Sequence, residues 1–140
     1  MKLKNKFLNR SLLLVAAFIS PLLSQQAQAQ NAELRAYSNS LYGFCDAKKV
    51  ASVWNKGIGD AKAIIGGKIL GNLTHLIDAD IASTRNSVRC SYADTQLQYK
   101  DAEKLGQHWG VSANQAKTMA ATKMSATGTK LFYNILRGVL

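Results

Sequence analysis

Ala47, Val50 and Trp54 stand at i, i+3 and i+7, the spacing that puts three side chains on one face of a helix. Fifty-five residues later Ala102, Leu105 and Trp109 repeat it. A second stripe, Ile58, Ala61, Ile65 and Ile69, is matched at the same offset by Ala113, Ala116, Ala120 and Met124. A third has Leu73, Leu76, Ile77 and Ile81 in "GNLTHLIDADIASTR", answered by Leu131, Phe132, Ile135, Leu136 and Val139 in "TGTKLFYNILRGVL". The pattern predicts an all-α protein made of two tandem, pseudo-symmetric three-helix units over 42–85 and 97–140. They are joined by a linker over 86–96, whose partial apolar alternation would allow a short β-ribbon.

The polar positions punctuate these helices. Asn55 and Gly110 follow the two tryptophans, and both types readily adopt the left-handed conformation that ends a helix. Gly57 and Ser112 come next as N-caps, and "SANQ" at 112–115 is a capping box. Asp46 and Asp101 open their helices, where a carboxylate meets the positive dipole end. Each unit has about forty-four residues, a size at which a single core is marginal. We therefore expect the two to pack into one domain with a common core, in which Trp54 and Trp109 fill volume.

Residues 1–29 break the pattern. A basic start with Lys2, Lys4, Lys6 and Arg10, an apolar run of about thirteen residues and an Ala27-x-Ala29 end form the layout of a secretory signal peptide. The run is short of the roughly twenty residues that span a bilayer. Cleavage after Ala29 would leave a periplasmic or secreted chain with no segment for stable membrane insertion. Residues 30–41 would be a flexible lead into the domain.

Removal of this segment changes the charge. The whole chain has eighteen basic and eight acidic residues, net +10. Without the first 29 residues it has fourteen and eight, net +6. A moderately basic exported protein suits an acidic protein or an anionic envelope polymer. Cys45 and Cys90, the two cysteines, are an even pair in an oxidising compartment and predict a disulfide. By the chain-entropy account, closing that loop stabilises by about 4 kcal/mol.

Candidate chemistry is sparse. His75 and Asp78 lie one helical turn apart, but zinc needs a third ligand. There is no glycine-rich phosphate loop and no nucleophile–base spacing. We assign no catalytic, metal or cofactor-binding residue, and expect a non-enzymatic binding module. Three lysine pairs recur at the offset: Lys49 with Lys104, Lys62 with Lys117, and Lys68 with Lys123. The last pair suits the negative end of a helix dipole. Lys62, Lys117, Lys49 and Lys104 are the candidate binding surface, and an inhibitor or immunity-type role is an alternative.

"LGQHWGVSANQAKTMA" resembles the helix-turn-helix of DNA-binding regulators, with Gly106 before the turn and Gly110 in it. That resemblance implies contact with duplex DNA. The first copy departs from it, with Asn55 at the turn glycine and Asp60 in the would-be reading helix. A carboxylate there repels phosphates. Export also disfavours a nucleic-acid partner.

Overall fold

The computed structural model describes residues 13–85 and 87–138. The basic start of the predicted signal segment, 1–12, lies outside them, as does Val139. Seven α-helices follow in order: α1 (Leu13–Ser38), α2 (Phe44–Trp54), α3 (Ile58–Leu70), α4 (Thr74–Ser83), α5 (Tyr99–Trp109), α6 (Ala113–Thr127) and α7 (Lys130–Leu136). Between α4 and α5 lies a 3₁₀ turn, Tyr92–Asp94. The described residues contain no strand, so the linker forms this turn in place of a β-ribbon. Residues 1–32 and 33–140 separate into two compact units; α1 from Glu33 onward belongs to the second.

The 55-residue spacing governs the second unit in detail. α2 and α5 start and end 55 residues apart, and α3 and α6 start 55 apart. Asn55 (φ 48°, ψ 51°) and Gly110 (φ 69°, ψ 33°) both adopt the left-handed conformation that stops the helix. Gly57 and Ser112 both cap in extended backbone. The capping box forms: the Gln115 N–H donates to Ser112 Oγ at 3.3 Å, and the Ser112 N–H to Gln115 Oε1 at 3.0 Å.

The repeat starts earlier than the helical stripes suggest. Ser40 Oγ donates to the Tyr37 carbonyl at 2.7 Å and accepts from the Tyr42 N–H at 3.1 Å. Thr95 Oγ1 makes the same two bonds, to the Tyr92 carbonyl at 2.6 Å and from the Leu97 N–H at 3.2 Å. Each hydroxyl closes a tight turn that delivers the chain to the next helix.

The segment 30–41, expected to be flexible, is helical as far as Ser38. Tyr37 explains why: it is buried among Tyr42, Ala47, Val50, Ala61 and Ile65. Burial of a side chain that large is enough to hold the last turns of α1. Gly66 lets them come close, because a β-carbon there would overlap the Glu33 backbone.

The expected common core is instead two apolar clusters, one per repeat. The first joins Tyr37 and Tyr42 to α2, α3 and α4 through Val50, Ile65, Ile77 and Ile81. The second joins α5, α6 and α7 through Leu105, Ala116, Ala120, Met124 and Phe132, and takes in the cystine. Leu73 and Leu76, expected in the stripe of α4, are exposed.

Polar groups bridge the clusters. Asp46 Oδ1 accepts from the Thr129 N–H at 3.0 Å and Oδ2 from the Gly43 N–H at 2.7 Å. The Thr129 hydroxyl also bonds Asp46 and accepts from the same Gly43 N–H at 2.8 Å. Lys49 Nζ donates to the Ser125 carbonyl at 2.5 Å and lies 3.5 Å from Thr84 Oγ1. Asp46, Lys49, Thr84 and Thr129, the buried polar residues among those described, all belong to this junction. The Cys45–Cys90 disulfide crosses it as well, with the Cys90 N–H donating to Ser125 Oγ at 2.9 Å. Apolar surfaces would tolerate many dockings, whereas a buried network is satisfied in only one.

Candidate functional site

Each lysine of the candidate surface has a definite place. Lys62, on the second turn of α3, puts its ammonium 5.4 Å from the Phe44 ring centroid and 5.6 Å from that of Tyr37. Lys117, its counterpart on α6, lies 4.7 Å from Tyr99 and 5.8 Å from Tyr92. The rings recur with the lysines: Phe44 with Tyr99, and Tyr37 with Tyr92, stand 55 residues apart. Each cation therefore faces two aromatic rings, which attract it through their quadrupoles but leave its charge uncompensated. Among the described residues neither lysine forms an ion pair.

Lys68 and Lys123 follow the same rule, over Trp54 at 4.8 Å and Trp109 at 5.8 Å. Trp54 corrects the expectation of a core residue. It is 46% exposed, and its indole N–H donates to Asp80 Oδ2 at 2.9 Å. Lys68 donates to the same oxygen at 3.2 Å. The residue 55 positions after Asp80 is Ile135, which packs in the second cluster with Trp109. Trp109 meets the Phe132 ring edge-on at 6.0 Å. One substitution between repeats, a carboxylate for an isoleucine, separates a surface tryptophan from a largely packed one.

Lys49 is a second correction. It is fully buried in the junction, so it offers no binding surface, while its counterpart Lys104 is exposed. Burial pushes the Lys49 ammonium below its usual range, opposed by the Asp46 charge. Burial likewise raises the Asp46 carboxyl, opposed by the bonds from Thr129 and Gly43 and by Lys49. His75 and Asp78 do not work as a pair. Asp78 accepts from the Tyr42 hydroxyl at 2.9 Å and pairs with Lys130 at 3.1 Å.

The partly exposed lysine–aromatic sites thus comprise Lys62 with Tyr37 and Phe44, and Lys117 with Tyr92 and Tyr99. The lysines were legible from their recurrence. Their rings were missed, although Tyr37/Tyr92 and Ser40/Thr95 keep the same offset, because they precede the helical stripes that defined the units. Compared with family models, curated proteins and solved structures, the chain matches none.

Proposed function

We propose that this chain is an exported, non-enzymatic binding protein that holds a protein or an anionic component of the bacterial envelope. The carrying observation is the recurrence of a lysine between two aromatic rings, with no ion pair at either site among the described residues. A cation kept in place by rings is oriented yet still able to take an external anion. Three further facts support the reading. The chain is basic; it contains a disulfide, the bond of oxidising compartments; and none of its described helices is long and apolar enough to cross a membrane.

Affinity capture from a bacterial envelope fraction tests the proposal. The chain should retain a partner that a K62Q/K117Q double variant releases, and chain recovered from the envelope should begin at Gln30. An inhibitor or immunity-type role is the special case in which that partner is an enzyme silenced on binding. Turnover in a hydrolase or transferase panel, abolished by one Asp or His substitution, would refute the non-enzymatic reading.

The α5–turn–α6 geometry favours one second reading, helix-turn-helix DNA binding. Gly106 packs against the backbone of Val111 and Ser112, where a β-carbon would be 2.6 Å from the Val111 carbonyl oxygen. This reading requires duplex affinity that falls steeply with salt and a shallower slope in the K62Q/K117Q variant. Absence of binding at low salt removes it.

A further inference from the structure

Lys62 differs from Lys117 in what surrounds it. Beside Lys62 is a cleft of about 320 Å³, walled by Tyr37, Tyr42, Phe44, Gln96 and Tyr133 as well as by the lysine itself. Lys117 is not among the residues lining it. The walls come from both repeats: Phe44 opens α2, Tyr133 lies on α7, and Gln96 belongs to the segment that leads into α5. The duplication made two lysine–aromatic pairs, and the docking of the repeats built a cavity against the first.

We infer that this cleft binds a single carboxylate-bearing sugar ring, the carboxylate on Lys62 and the ring face on Phe44. The inference rests on the binding role proposed above and names the ligand class for one of its two sites. Four observations lead to it. Lys62 Nζ faces ring carbons with no carboxylate partner among the described residues, so an incoming carboxylate forms a charge-assisted hydrogen bond without displacing another anion. Phe44 is 41% exposed and presents an aromatic surface on which the C–H face of a pyranose can lie. Gln96, which is exposed, and the Tyr133 hydroxyl supply donors and acceptors for ring hydroxyls. The volume is at the lower end of the roughly 300–1,000 Å³ of small-molecule sites, which fits one ring and not an extended chain.

The one carboxylate on the wall, Asp94, does not oppose an anion strongly. Its Oδ2 pairs with Lys48 at 3.1 Å and accepts from the Ser91 N–H at 2.7 Å.

Titration of the isotope-labelled chain with glucuronic acid at neutral pH, read by amide NMR shifts, tests the assignment. Saturable shifts should centre on Phe44, Lys62 and Gln96. K62Q should weaken binding about tenfold or more, since a hydrogen bond to a charged group is lost. Glucose should bind correspondingly less well, and K117Q should leave binding unchanged. F44L, which removes the ring but no charge, serves if K62Q does not fold, and should also weaken binding. The assignment is overturned if glucuronate gives no saturable shift by about 10 mM, a limit weaker than ordinary millimolar affinity. It is equally overturned if K62Q and F44L bind as the parent does, or if acetate matches glucuronate, which would make the cleft a general anion site. Envelope capture that survives K62Q and F44L, beside a failed titration, would remove the sugar site and leave the binding role standing.

Discussion

Asp46 and Asp101 occupy equivalent positions and make the same local bond, from the Gly43 N–H at 2.7 Å and from the Gln98 N–H at 2.8 Å. Only Asp46 does more, because it is fully buried and also holds the Thr129 backbone and hydroxyl. Asp101→Ala should therefore cost about 1 kcal/mol, the usual loss of a helix cap. Asp46→Ala should cost about 3 kcal/mol or more, because it strands the Gly43 and Thr129 donors and leaves the buried Lys49 without its counter-charge. Urea unfolding of the two variants measures the difference; equal costs would mean that Asp46 is only a cap. From the sequence both aspartates read as caps, since a capping pattern depends on three or four consecutive residues. What Asp46 meets across the junction lies 83 residues away.

The elements were legible because their signals are local. The stripes of Ala47, Val50 and Leu105, the left-handed stops at Asn55 and Gly110, and the box at Ser112 lie within one or two turns of the residues they govern. The fate of α1 was not legible, since it depends on α3. Gly66 and Gly59 both belong to α3, and only their surroundings differ. A β-carbon at position 66 would run into the Glu33 backbone, whereas one at position 59 meets nothing within 4 Å. Gly66→Ala should destabilise by about 2 kcal/mol or more through overpacking. Gly59→Ala should stabilise by about 0.5 kcal/mol by restricting the unfolded chain. Thermal or denaturant melts of both variants check this, and in Gly66→Ala amide exchange over 33–38 should speed up most as α1 loses its seat.

At the scale of the whole molecule, two apolar clusters are held together by a polar junction and one covalent bond. The bridge links residues 45 apart in sequence and should stabilise by about 4 kcal/mol in the chain-entropy account. A C45A/C90A double variant should lose about that much in denaturant unfolding, and the unreduced, denatured parent should titrate no free thiol. Two free thiols in protein from an oxidising compartment would contradict the bond. The sequence by itself determined the helices, their stops, the 55-residue recurrence and the pairing of Cys45 with Cys90, because periodicity, caps and an even cysteine count act locally or leave one choice. Only the tertiary structure decided that Lys49 is buried, that Trp54 bonds Asp80 at the surface, and that the repeats keep separate cores. It also decided that a cleft opens beside Lys62 and not Lys117. Those outcomes depend on which side chain arrives from a distant helix: Asp80 against Trp54 and Ile135 near Trp109, or Thr129 against Asp46. A repeat copies positions along the chain, but each copy packs against different neighbours.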